Sequence, residues 1–273
     1  MKIAVIYFSA TGNTGKMAMA IKENFEQLGT KVDGYDITAL SDRKKQIDIS
    51  LYDAIVFGSP VHSIRAPKLL REWMLTLDGQ GKKCAMFFTY GGFTVHPAHH
   101  STMDILCRRN FIVVSSAEFP GAHTYNYGGW RAFPDRPKDL DFNLAKEYTV
   151  ATLKRFTGED PEILGNLDKS PFSEDELDKF ESLRFKIVTK LPSRDGKECS
   201  MCKACEESCP ARAMDAETGI ADPVKCIACL ACVAICPEQA LAINDTTDSW
   251  QFKLDLGETT EKELNLQQGK IYL

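Results

Sequence analysis

Eight of the ten cysteines lie between positions 199 and 236, and they fall into two copies of one pattern. Cys199, Cys202, Cys205, Cys209, Pro210 and Ala213 recur 27 residues later as Cys226, Cys229, Cys232, Cys236, Pro237 and Ala240. Each copy reads Cys-x2-Cys-x2-Cys-x3-Cys-Pro. A disulfide scaffold spreads its cysteines through a short secreted chain, whereas the first 198 residues here hold only Cys84 and Cys107. The eight are therefore expected to bind metal. Zinc ribbons also use Cys-x2-Cys pairs. Zinc gives no reason, however, for three evenly spaced cysteines, a fourth after three residues and a proline, all twice over.

The stretch from Asp195 to Asn244 resembles the two-cluster bacterial ferredoxins, in whose runs this spacing holds 4Fe-4S clusters and the fourth cysteine serves the other cluster. The resemblance implies one cluster on Cys199, Cys202, Cys205 and Cys236, and a second on Cys226, Cys229, Cys232 and Cys209. The fourth thiolate of each run is expected to start a helix. Pro210 and Pro237 would suit its first turn, where a missing N–H costs nothing.

Upstream, the pattern alternates. Residues 3–8 (IAVIYF) form an apolar run, followed by SATGNTGK and then by apolar positions Met17, Ile21, Phe25 and Leu28 at helical spacing up to Gly29. Strands are expected near 31–37, 53–57, 83–89 and 111–117, with helices near 66–77, 97–109 and 138–156. Apolar strands alternating with helices indicate a parallel sheet covered on both faces, here of five strands. Ser173 and Glu176 form a capping-box signature for a polar helix reaching about Lys190. The expected organisation is an α/β domain over 1–157, a helical connector over 158–194, a small α+β cysteine module over 195–245 and a tail over 246–273. In the tail, WQFKLDL and GKIYL alternate weakly and suggest edge strands.

The loop Ser9-Ala10-Thr11-Gly12-Asn13-Thr14 sits between the first strand and the first helix, where helix N-terminal amides and short hydroxyls make an anion site. It is not a Walker loop, because the required first glycine is Ala10 and the residue after Lys16 is Met17. Its glycines also lack dinucleotide spacing. With no Lys or Arg between Ser9 and Thr14, it suits a phosphate monoester held by hydroxyls and backbone N–H groups.

SATGNT and the element order resemble the flavodoxins over roughly residues 1–156, which implies a doubly wound sheet of order 2-1-3-4-5 and bound FMN. Carried over onto this chain, the phosphate loop would be Ser9, Thr11, Gly12, Asn13 and Thr14. Two further loops would face the flavin: Ser59, Pro60, Val61, His62 and Ser63 after the third strand, and Tyr90, Gly91, Gly92 and Phe93 after the fourth. Tyr90 or Phe93 would lie against the ring. The chain departs from the commonest flavodoxin pattern in having no Trp in the second of these three loops, with His62 near the usual stacking position. His96 and His100 are spaced for a helical zinc pair but lack a third ligand. Cys84 and Cys107 read as packing residues.

A flavodoxin-like domain fused to a two-cluster ferredoxin resembles electron-transfer proteins of anaerobes. FMN handles one or two electrons and each cube one, so the chain would pass electrons between FMN, the clusters and external redox partners. The alternative is an FMN-dependent oxidoreductase acting on a small-molecule acceptor. The chain has 33 basic and 38 acidic residues, which disfavours nucleic acid. From Asp195 onward the balance is 7 basic to 14 acidic, favouring a protein donor or acceptor with a basic docking patch. The longest apolar run, Cys226 to Cys236, is too short to span a bilayer and the N-terminus lacks a cleavage signal, so a cytoplasmic protein is expected. The segment Phe119 to Phe133, FPGAHTYNYGGWRAF, is long for a strand-to-helix connection. Two readings of it compete, a lid that holds a flat substrate over the flavin, with Gly128-Gly129 as its hinge, and a surface that docks the cysteine module and shields the flavin; docking is favoured, because aromatic residues suit interface cores.

Overall fold

The computed structural model describes residues 1–93, 95–165, 167–183, 189–194 and 196–273. Its first half is β1 (Lys2–Tyr7), α1 (Asn13–Gln27), β2 (Lys31–Asp36), the single turn α2 (Leu40–Arg43), β3 (Ala54–Pro60), α3 (Lys68–Met74), β4 (Lys83–Tyr90), α4 (His96–Arg108), β5 (Ile112–Pro120) and α5 (Asp139–Thr157). These strands pair in parallel in the order β2-β1-β3-β4-β5. Period-two alternation sends Ile3, Val5, Ala54, Val56, Ala85 and Phe87 to one face, under α1 and α5. Ala4, Ile6, Ile55, Phe57, Met86 and Phe88 go to the other. Both faces are covered, which is why each strand reads as an unbroken apolar run.

The sheet has a sixth strand. β8 (Lys270–Tyr272) adds antiparallel to β5, pairing Ser116 with Tyr272 and Glu118 with Lys270. It covers an edge that five strands alone would leave unpaired. A buried polar group fixes it: Tyr272 donates to Glu118 Oε2 at 2.8 Å, and His99 bridges Glu118 at 3.1 Å and Ser116 at 2.6 Å. GKIYL is thus an edge strand, as its alternation suggests. WQFKLDL is not: it lies in the helix Thr247–Leu256, because Trp250 and Leu254, four apart, both turn into the core.

The connector helix α6 (Glu174–Ser182) carries the expected capping box, with Ser173 and Glu176 bonded reciprocally, but ends at Ser182. Its expected continuation to Lys190 falls partly on 184–188, outside the described residues. The cysteine module then closes on itself. Ser193 and Ala242 exchange backbone bonds of 3.1 and 3.0 Å, and Asn244 accepts from Lys190 N at 2.6 Å. Inside it are α7 (Ala204–Glu207), the hairpin β6 (Met214–Asp215) and β7 (Ile220–Ala221), and α8 (Ala231–Ile235); the tail adds α9 (Thr247–Leu256) and α10 (Glu261–Leu266). The short helices precede the fourth cysteines, and turns, not helices, follow Pro210 and Pro237. The expected helix starts there do not form.

The loop after β5 docks the end of this module. Gly128 O accepts from Thr246 N at 2.6 Å and from Thr246 Oγ1 at 2.9 Å. Trp130 Nε1 is shared between Thr246 O at 3.1 Å and Ser249 Oγ at 2.9 Å, and its ring packs on Trp250. A Cβ on Gly128 would stand 2.9 Å from Asn244 O, so glycine is needed for close approach and not as a hinge. Farther along the loop, Arg136 grips Asp141 through two nitrogens, both groups being buried, and reaches Gln267 O at 3.1 Å.

Arg136→Met removes the partner of a buried carboxylate, which costs about 3–5 kcal/mol. Urea unfolding should therefore show a markedly lower midpoint. A loss below about 1 kcal/mol would contradict this view of the pair.

Candidate functional site

The carboxyl ends of β1, β3, β4 and β5 meet around a cleft of about 520 Å³, its open mouth included. Ser9, Thr11, Asn13 and Thr14 line it, with Pro60, Val61 and His62 from the second loop and Tyr90 and Gly91 from the third. Thr89 and the segment Gly121 to Thr124 complete it.

The first loop is built to hold an anion. Gly12, at φ 96°, leads into α1 without any side-chain cap, and the first turn holds no acidic residue. The first N–H groups of a helix have no intrahelical acceptor; Gly15 N is taken up by Ser9 Oγ, and those of Asn13 and Thr14 lie at the positive end of the helix dipole, where an anion is favoured. Ser9 fixes the loop from both sides, donating from N to Thr38 Oγ1 at 2.7 Å and accepting at Oγ from Gly15 N at 2.8 Å. Asn13 Nδ2 donates to Ala122 O at 3.0 Å and joins this loop to the one after β5. Thr14 is buried and shares a 2.6 Å bond with Thr89 Oγ1, so it also pins the helix to β4.

The second loop turns sharply. His62 and Arg65 exchange backbone bonds of 2.7 and 3.0 Å around Ser63 and Ile64, whose φ values are 45° and 60°. Two positive φ angles are the signature of a type I′ turn, in which Asn and Gly are usual and a β-branched residue is an outlier. The strain is held from outside. Arg65, only 1% exposed, bonds Glu174 at 2.7 Å, Asp178 at 2.5 Å and Glu181 at 3.0 Å, three carboxylates at helical spacing on α6. Arg71 adds a 2.9 Å bond to Glu181. The hydrogen bond from Arg65 keeps the Asp178 carboxyl below the usual carboxylate range.

Of the residues expected here, Gly12, Ser59, Ser63, Gly92 and Phe93 do not line the cleft. Ser59 is buried and donates to Pro60 O at 2.8 Å. Phe93 stands with Trp130 at 5.8 Å and Trp250 at 6.1 Å in the docking contact. Tyr90 stays at the cleft, its hydroxyl pushed up by burial and then by Glu118. Gly91 lets His123 come close: a Cβ there would be 2.1 Å from His123 Cδ2. The segment 121–124 was not among the residues expected here, although its loop leaves the same sheet edge as the other three.

The cysteines gather into two crosswise sets. Cys199, Cys202, Cys205 and Cys236 surround one cavity, closed by Arg194, Gly219, Pro237 and Leu241 among others. They ring a space and do not close on a point: among the described residues no group of three or more His, Cys, Asp or Glu is disposed to hold a single metal ion. In the other set, burial pushes the Cys232 thiol up, and its neighbours Cys229, Cys226 and Cys209 add to the effect. The two-fold repeat is visible in the backbone. Met201, Lys203 and Arg212 have φ of 60°, 61° and 50°, and their counterparts Ala228, Leu230 and Gln239 have 56°, 60° and 50°. Left-handed residues set among right-handed ones turn successive N–H groups inward, the concave arrangement that suits anionic iron–sulfur groups. Ala213 N points at Cys209 Sγ at 3.2 Å, and Ala240 N at Cys236 Sγ at 3.3 Å.

Residues 4–112 match the flavodoxin domain family, and residues 191–237 match the 4Fe-4S dicluster domain family. Among solved structures, a flavodoxin from the domain Archaea is 19% identical, covering 57% of this chain and 99% of its own, with a TM-score of 0.44. Oxidised flavodoxin 2 from Bacillus cereus is 18% identical over 57% of this chain and 99% of its own, with a TM-score of 0.43. No curated protein matches the sequence. The chain carries a flavodoxin domain followed by a 4Fe-4S dicluster domain. The first implies FMN, and the second, with its eight cysteines, implies two 4Fe-4S clusters.

Gly91→Ala drives a methyl group into the His123 ring. Overpacking of this kind costs about 1–3 kcal/mol, measurable by urea unfolding and by a shift of the His123 ring resonances. An effect within about 0.5 kcal/mol with those resonances unmoved would contradict the close approach.

Proposed function

We propose that this chain is an electron-transfer protein that passes electrons between FMN in the cleft, two 4Fe-4S clusters on the eight cysteines, and external redox proteins. The observation that carries this reading is one apolar core. Ala10 and Val61, from the cleft loops, pack against the same core as Ile227, Leu230 and Val233, from the loop between Cys226 and Cys236. Arg43 adds a polar link: it donates to Pro210 O, next to Cys209, and to Ile37 O at 3.0 Å, while Thr38 holds Ser9 of the first loop.

The residues of the cleft fit FMN. The first turn of α1, with Thr11 beside it and Gly15 N held by Ser9, suits the phosphate, and Pro60 to His62, Tyr90, Gly91 and Gly121 to Thr124 suit the flat ring. When bound, FMN supplies exchange of one or two electrons and each cube exchange of one. The protein's part is to hold these groups in one rigid body and to keep water from the path between them. The docking contact, where Trp130 is buried between Trp250, Phe93 and His123, supports the first of these. The same cleft would serve an oxidoreductase acting on a small acceptor, but that reading uses the Phe119 to Phe133 loop as a lid. Gly121 to Thr124 of that loop line the cleft, but its Trp130 and Tyr125 are buried behind His123 and not among the lining residues.

The anaerobically purified protein should contain about eight irons and one FMN per chain. Thr11→Val should weaken FMN by about 1.5–3 kcal/mol, as for a hydrogen bond to a charged group, and leave riboflavin affinity unchanged. It is a cleaner test than Thr14→Val, which also breaks the buried bond to Thr89. Equal loss for both ligands would count against phosphate in the first loop. Trp130→Ala should slow electron exchange between flavin and clusters while reduction by small mediators is unaffected. If exchange stayed fast and turnover of an added quinone were lost, the small-molecule reading would replace the carrier.

A further inference from the structure

The cysteine module is two-fold in sequence, but its two halves sit in different surroundings. Among the residues between the first three cysteines, the runs differ at Ser200, Met201 and Lys203 in the first and at Ile227, Ala228 and Leu230 in the second. Leu230 is 1% exposed and belongs to the core of the α/β domain, whereas its counterpart Lys203 is exposed. Met201 is 38% exposed and its counterpart Ala228 is 0%. Cys202 is exposed, while Cys229, Cys232 and Cys209 are buried. Arg43 ties Pro210, beside Cys209, to the α/β domain, and Pro223 to Ile227 border α3 and α6 across a second cavity. Every one of these contacts is made on the side of Cys226, Cys229, Cys232 and Cys209.

We infer that the two cysteine sets have fixed and different places in the relay, an inference that rests on the electron-transfer reading above. The set Cys226, Cys229, Cys232 and Cys209 is the inner station, exchanging with the flavin domain. The set Cys199, Cys202, Cys205 and Cys236 is the outer station, and the exposed loop Ser200 to Lys203 is the face on which a redox protein docks. The occupant of that face is a one-electron protein carrier with a basic rim and an apolar centre. Its sign follows from the charge of the module as a whole, nine acidic and four basic side chains over residues 195–245, with Lys203 in the loop and Arg194 beside Met201 as cations on the face itself. Glu198 adjoins Cys199, and Glu238 accepts from Ser200 N at 3.2 Å. The apolar centre meets Met201, whose sulfur lies 3.4 Å from Arg194 Nη1. One electron crosses per encounter. A cluster held by Cys199, Cys202, Cys205 and Cys236 would be oxidised as the carrier's metal centre is reduced, and the reverse would hold for a donor, with no proton or atom transferred.

The test uses the intact protein, loaded with FMN and clusters, and cytochrome c as a basic one-electron probe. Carbodiimide cross-linking at low salt should join cytochrome c to Glu198 and Glu238. Glu198→Lys with Glu238→Lys should slow cytochrome c reduction about 10-fold at low salt and little at high salt, with internal exchange between flavin and clusters unchanged. Cys229→Ser should stop electrons reaching cytochrome c from the flavin while the outer cluster still reduces it. Cys202→Ser should leave flavin exchange with the remaining cluster intact and slow cytochrome c reduction. Cross-links confined to another surface, or an unchanged rate in the doubly charge-reversed protein, would overturn the assignment even if a cysteine variant failed to fold. If the unaltered protein showed no exchange between flavin and either cluster, the electron-transfer reading itself would fall. If exchange were fast but the two cysteine variants behaved in the opposite sense, only the order proposed here would fall.

Discussion

The arrangement depends on the seating of Ile227 and Leu230 in the core of the α/β domain. Full burial of a leucine is worth about 1.5–3 kcal/mol relative to leaving it in water, and a lysine at that place would have to desolvate its charge or turn away. The first cysteine run offers Ser200 and Lys203 at the equivalent positions. Rotating the module by its own two-fold axis would therefore exchange a favourable contact for an unfavourable one. These two side chains thus favour one of the two orientations of a nearly symmetric module.

The other contacts refine that orientation. Arg43 fixes Pro210 beside Cys209, and Gly128 and Trp130 fix the exit of the module at Thr246. The tail then returns to the sheet as β8, so the module is anchored where it packs and where it leaves. This rigidity lets the cleft carry local strain. The left-handed Ser63 and Ile64 persist because Arg65 is gripped by three carboxylates of α6, a helix that belongs to the connector and not to the cleft. The connector is therefore a brace for the second cleft loop as well as a link between domains.

Much of this was legible in the sequence, for identifiable reasons. Buried parallel strands read as apolar runs, and 3–8, 53–57 and 83–89 lie close to β1, β3 and β4. The crosswise gathering of the cysteines is the one that the resemblance to the two-cluster ferredoxins implies. What depends on distant residues was not legible. The sequence WQFKLDL has a strand-like alternation, and only the core around Trp130 selects the helical set Trp250 and Leu254. Phe93 adjoins the third cleft loop in sequence, yet the aromatic contact with Trp130 and Trp250 draws it away. The turns after Pro210 and Pro237 failed as helix starts because Arg212 and Gln239 go left-handed two residues on. The role of α6 was invisible because Arg65 and Glu174 are 109 positions apart.

The central claim is that flavin and clusters belong to one electron-conducting body. Laser-flash reduction of the fully loaded protein tests it most directly, by following flavin and cluster absorbance together after one electron is injected. The account predicts a redistribution between flavin and clusters that is first order and independent of protein concentration. Redistribution whose rate rises in proportion to protein concentration, or none at all, would contradict it.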